Sequence, residues 1–239
     1  MIALLMDIPG PATLIQVHFK LALAALAVVP LAVMVKKGER THRVAGIAFL
    51  AGCVALVPIS AMAAYHLGDP KTALLALLVA HLAFGAWRSL YLKRLHQGLK
   101  PRRPDKLLHG GMGVLYTGAF FWGITDLMLA QKGQKADPLL PLLGAVGLLL
   151  VSMQFYRFFK SSHDKHDWLH GHGQGMILAW AFLLAAFSMM HLPIPRESAF
   201  RLAWPVLLGL PLVMLWTRRM RQRLTHGKRA SHFYRIRIK

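Results

Sequence analysis

The sequence predicts an all-α, polytopic membrane bundle of seven transmembrane helices. Hydrophobic residues fill 56% of its 239 positions, and its mean hydropathy is +0.45. Apolar stretches recur seven times, each close to the ~20 residues of helix that cross a ~30 Å hydrocarbon core. Lys and Arg gather at alternate ends of these stretches, the asymmetry by which short loops are sorted to the cytoplasmic side.

The predicted spans are Ala12–Val35, Val44–Tyr65, Thr72–Leu92, Leu108–Leu129, Leu139–Phe159, Gly171–His191 and Ala199–Trp216. The first follows a Pro9-Gly10-Pro11 turn, and Met1–Pro11 has neither the positive start nor the cleavage site of a signal peptide. The second holds Cys53, the one cysteine, which leaves no partner for a disulfide or thiolate cluster. The third carries His81, Gly85 and Arg88 on one face, with Gly85 leaving room beside the His81 ring. Asp126, near the outer end of the fourth, is the only acid that this reading places inside a span. Pro30, Pro58, Pro141, Pro205 and Pro211 also fall within spans, where neighbouring helices can satisfy the freed carbonyls. Residues 1–217 form the transmembrane domain, as hairpins 12–65, 72–129 and 139–191 with a final helix 199–216, and 218–239 form a basic cytoplasmic tail.

Of 29 Lys and Arg residues, four lie in Lys36–Arg43, seven in Arg88–Lys106, three in Arg157–Trp168 and nine from Arg218 onward. The opposite ends carry only Lys20, Lys71, Lys132, Lys135, Arg196 and Arg201. An outside N-terminus and an inside C-terminus satisfy every loop. The net charge of +20 and the pI near 11.0 are therefore orientation signals that also attract anionic headgroups, worth ~1 kcal/mol per basic residue near the surface. Nucleic acid is not an expected partner.

Three histidines open the outward-running spans after basic loops: Thr41-His42-Arg43, Leu108-His109-Gly110-Gly111 and Leu169-His170-Gly171-His172. His42 and His109 are 67 residues apart, and His109 and His172 are 63 apart, the spacing of a repeated hairpin. His42, His109 and His172 are thus expected at equivalent depth, as an inner site. His18 and His81 sit inside spans, roughly 9 and 14 Å from the outer side at 1.5 Å per residue. Imidazoles at similar depth on separate helices suit the axial positions of a haem b iron, with the basic inner ends holding its propionates. A buried histidine bonded to a neighbouring helix is the plainer account of each.

Between His163 and His172, helical spacing puts His166 and His170 on one face, able to chelate a transition metal, with Asp164 and Asp167 beside them. A solvated loop beside the membrane accounts for the same residues. His66 and His191, at outer helix ends, and His96, His226 and His232, in basic segments, read as rings facing water. The chain has no phosphate-cradling loop ahead of a Lys-Ser/Thr pair and no serine nucleophile elbow, so no reaction is implied.

Lys37-Gly38…His42-Arg43…Gly46, His81, and His109 with Met112 give the stretch from His18 to about Leu129 a likeness to a known family. It resembles an uncharacterised bacterial membrane-protein family, domain of unknown function twenty-three-oh-six. That family tends to have a His-Arg pair where this chain has His109-Gly110. The layout is also similar to small His-bearing membrane proteins linked to respiratory-oxidase maturation and, more distantly, to cytochrome b-type bundles. These resemblances imply a respiratory or haem setting, with components of a respiratory complex as partners.

The expectation is a multi-pass protein of the bacterial inner membrane that binds haem b or a transition metal, for electron transfer or for cofactor delivery. His18 and His81 would be the buried ligands. Two other classes stand beside it: a cofactor-free assembly or structural factor, and a small-solute or proton-coupled transporter with His81 and Asp126 on its path.

Overall fold

The computed structural model describes residues 10–130, 138–192 and 200–226. Among them are seven α-helices and no strand. They are α1 (Pro11–Met34), α2 (Arg40–Leu67), α3 (Pro70–Ser89), α4 (Arg103–Leu129), α5 (Leu139–Phe159), α6 (Asp167–His191) and α7 (Phe200–His226), with a 3₁₀ turn at Leu95–Gln97. Helices α1 to α6 are long and apolar enough to span a membrane, as in a multi-pass membrane protein. Their outward faces keep large apolar side chains exposed, such as Leu31, Val114, Phe121 and Leu149, which suits lipid as the solvent.

Among the described residues α7 is not one of those six. Pro205 and Pro211 lie within it, and the helix continues through Arg218 and Arg219 to His226. The first part of the expected tail is therefore helical. Residues 227–239, with His232, lie outside the described residues, as do Met1–Pro9, Lys132, Lys135 and Arg196, and the side chain of His226.

Helices also begin earlier than hydropathy marks them. Helix α4 opens at Arg103, with a proline in its first turn and the Asp105 side chain accepting from the Arg102 backbone N–H at 2.9 Å. A proline at this position loses no intrahelical bond, and an acid at the third position satisfies a free N–H. Asp105 is consequently inside a spanning helix, and Asp126 is not the only acid there. At other ends Gly68 and Gly98 supply the left-handed backbone, at φ +64° and +85°, that closes α2 and the 3₁₀ turn.

The chain divides into two compact units, Met1–Ala83 with Met176–Lys239, and Phe84–Gly175, and α3 and α6 contribute to both. In the first unit α1 packs on α2, with Gly52 against Ala25. Pro30 lacks the N–H that would bond the Leu26 carbonyl. The Trp180 indole N–H of α6 donates to that carbonyl at 3.3 Å instead, which is how a proline is accommodated where no water can enter. Trp204 of α7 donates to the Ser188 hydroxyl of α6 at 3.0 Å.

In the second unit α4 packs antiparallel on α5 in a regular step: Gly113 on Val151, Tyr116 on Gly147, Phe120 on Gly144 and Gly123 on Pro141. A glycine at each of these four contacts lets the helices approach closely, the usual packing device where apolar burial supplies no drive between helices.

Candidate functional site

In the first unit Leu14, His18, Ala22 and Ala25 form the buried stripe of α1, and His18 is only 3% exposed. Its Nδ1 faces the Nε2 of His191, the last residue of α6, at 3.3 Å, and the ring centroids are 5.5 Å apart. Phe19 and Phe187 each hold the His191 ring with centroids 5.0 Å away. At that distance one nitrogen must donate and the other accept if both rings are neutral, or both lone pairs can point at one ion.

His18 also lines a cavity of about 80 Å³, room for several waters at ~10–15 Å³ each. Its polar lining is completed by Asp69, Lys71 and Thr72 at the start of α3, and Met189 and Met190 of α6 border it. Asp69 and Lys71 pair at 3.6 Å. His81 is buried in α3 at 5% exposure, but the part of α3 that lines the cavity is Thr72, Leu75, Ala76 and Val79. A partner placed against His18 is His191, which the sequence reading turns to water.

The second unit gathers a larger polar cluster at the ends of α3 to α6 that adjoin the basic loops. Arg88 grips Asp105 in two bonds, Nε to Oδ1 at 2.7 Å and Nη2 to Oδ2 at 3.0 Å, and Asp105 is 1% exposed. One turn along α4, His109 is 2% exposed, with its ring against Phe155 and Phe158. A Cβ on Gly85 would come within 3.4 Å of His109 Cε1 and 3.8 Å of Gln154 Nε2. The room at Gly85 is taken by His109.

His172 of α6 bonds through Nδ1 to the carbonyl of Ala86 at 3.1 Å, which leaves the lone pair on Nε2. Two of the three expected inner-site histidines therefore meet adjacent residues of α3. His42, in the first unit, bonds through Nδ1 to the Ala32 carbonyl at 3.0 Å and ties the start of α2 to the end of α1.

Helix α6 begins at Asp167, so His166 precedes it; the His166 carbonyl accepts from the His170 N–H at 3.1 Å. The His166 ring turns back to Asp164, Nδ1 to Oδ1 at 3.3 Å. The His166 backbone N–H, donating to Asp164 at 2.7 Å, holds that carboxyl below its ordinary range. Lys160 pairs with Asp167 at 2.5 Å. Among the described residues no three His, Cys, Asp or Glu side chains are placed to share a metal ion.

Gln154 and Asp105 are site residues that the sequence reading did not single out, and His191 is one that it read as facing water. One signal was available for Asp105: Pro104 followed by an acid is a helix start, and it puts Asp105 inside α4. Compared with family models, curated proteins and solved structures, the chain matches none.

Proposed function

We propose that this is a multi-pass inner-membrane protein that holds a transition-metal ion between His18 and His191, for electron transfer or for delivery to a respiratory complex. One observation carries the reading: two imidazole nitrogens, from α1 and α6, 173 positions apart, face each other at 3.3 Å. Nitrogens bound ~2.0–2.1 Å from a tetrahedral ion stand ~3.3 Å apart. Axial ligands on opposite sides of a haem iron would stand about 4 Å apart at similar bond lengths, so a small ion suits this pair better than haem b. Two protein ligands leave coordination positions open, as an ion that must be exchanged requires. The cavity bordered by His18, Met189 and Met190 lies beside the pair, and imidazole with thioether suits the softer metals. The resemblance of the His18–Leu129 stretch to an uncharacterised membrane family belongs with this proposal and supplies no reaction of its own.

The test is metal analysis of protein purified in detergent without a polyhistidine tag, with a reduced-minus-oxidised visible spectrum of the same sample. The expected result is about one transition-metal ion per chain and no haem bands, with the metal lost in both His18→Ala and His191→Ala. Metal-free protein after growth and dialysis with zinc, copper or iron would identify the 3.3 Å contact as a hydrogen bond between neutral rings. Sharp haem bands that vanish in His18→Ala or His81→Ala would replace the small ion by haem b.

The orientation is part of the same proposal: seven spans, N-terminus outside, C-terminus in the cytoplasm. Alkaline phosphatase folds only outside the cytoplasm. Fusion after Gly68 is expected to be active and fusion after Gly98 inactive; the reverse result would invert the topology.

A further inference from the structure

Arg157 lies within α5, two residues before its end, and is half-buried. Its Nη2 donates to Oε1 of Gln174 on α6. On its other side Gly171 lies so close that a Cβ there would stand 3.2 Å from Arg157 Nη1 and 2.8 Å from the Ser89 hydroxyl. At contact distance the guanidinium thus meets neutral groups of α6, Gln174 and Gly171, while Asp167 at the start of the same helix acts on it from farther away.

The carboxylates nearby are already engaged. Asp105 is taken by Arg88 in two bonds. Asp167 pairs with Lys160 at 2.5 Å and also accepts from the Asp164 backbone N–H at 2.9 Å. A cation inside a spanning helix is costly unless a partner of opposite sign is supplied. Here the polypeptide supplies an amide in direct contact and the more distant charge of Asp167, which Lys160 already shares.

We propose that Arg157, with Gln174 beside it, binds one anionic phosphate group, of the kind that a phospholipid headgroup or free inorganic phosphate carries. Guanidinium is the side chain best matched to phosphate, because its planar fork donates two parallel charge-assisted bonds. The surroundings draw such a group in: Lys93, Arg94, Lys100, Arg102 and Arg103 lie on the loop and helix start at the same end of this unit. Helix-end pockets with this charge are the places where anionic lipid headgroups lodge. This site is separate from the His18–His191 pair, and neither proposal depends on the other.

The experiment follows the thermal stability of the full-length protein in detergent as phosphatidylglycerol, phosphatidylcholine or inorganic phosphate is added. Phosphatidylglycerol is expected to raise the midpoint and phosphatidylcholine to leave it unchanged. An equal rise with inorganic phosphate alone would assign the site to the free ion; no rise with any of the three would overturn the proposal. In Arg157→Gln, the phosphatidylglycerol concentration giving half the effect should increase roughly tenfold or more, the loss of a charge-assisted bond pair. Lys165→Gln, an exposed loop lysine, should leave it unaltered. If Lys165→Gln acts as strongly as Arg157→Gln, a diffuse surface charge explains the binding and the site does not exist.

Gln174→Glu covers the case in which Arg157→Gln fails to fold. It gives Arg157 a counter-ion of its own, so the variant should be stable without added lipid and lose the phosphatidylglycerol effect. A full effect retained in Gln174→Glu would overturn the proposal.

Discussion

Asp105→Asn is expected to destabilise the protein by about 3 kcal/mol, the lower end of what is lost when one member of a buried ion pair is removed. The amide keeps the size of the side chain and an oxygen for the Arg102 N–H at 2.9 Å. It removes the charge that the Arg88 guanidinium meets through two bonds, at a position 1% exposed. The value sits at the low end because Arg88 keeps 17% of its side chain exposed and can turn its head toward the interface. The measurement is reversible unfolding in mixed micelles, with Arg88→Gln and the double variant completing a cycle. The double variant should be more stable than the sum of the single losses predicts, because neither charge is then left alone. A loss below about 0.5 kcal/mol for Asp105→Asn, the range of ordinary surface changes, would mean that Arg88 is already neutralised by solvent.

The same residue marks what hydropathy can and cannot reveal. Hydropathy marks all seven helices as apolar stretches, and among the described residues six are long and apolar enough for the bilayer. It stops at the first charges, while the backbone ladder of α4 continues through Arg103 and α6 back to Asp167. The missing turns hold Asp105 and His170. Helix rotation is a second loss. The i, i+4 spacing of His81 and Gly85 suggests a gap made for the ring on the same helix, yet the gap faces α4 and His109 fills it. A glycine declares that something comes close; only packing decides what.

The histidine pair shows the limit most sharply. His18 and His191 are 173 positions apart, and nothing local in either segment refers to the other. Depth was the one usable clue. His18 lies about two turns into α1 and His191 closes α6, an odd and an even helix that alternating spans run in opposite directions, so both belong near the same end of the spans. Reading His191 as a ring in water considered its helix alone. Of the histidines that open spans after basic loops, His109 and His172 each reach α3, while His42 bonds to the end of α1.

Gly144→Ala should cost about 2 kcal/mol net, and its cause lies in the α4–α5 contact. A Cβ at Gly144 would stand 2.6 Å from the Phe120 backbone nitrogen and 2.8 Å from its Cα. Backbone inside a helix cannot rotate away as a side chain can, so α4 and α5 must move apart. That separation is shared by the whole register, including the ring of Tyr116 on Gly147, which is 0% exposed. Overpacking of this sort costs ~1–3 kcal/mol or more, and the better helix propensity of alanine returns up to ~1 kcal/mol. Gly118→Ala is the control on the same pair of helices, because a Cβ there meets nothing within 4 Å. It collects the propensity gain without the clash and should be neutral or slightly stabilising in the same micelle assay. Equal stability of the two variants would show that α4 and α5 are not held in this register. Gly147→Ala then separates two mechanisms: its clash is with the Tyr116 ring rather than with backbone. Tyr116→Ala should restore much of the Gly147→Ala loss by opening space for the new methyl, and none of the Gly144→Ala loss, because there the clash is with the backbone and Cβ of Phe120.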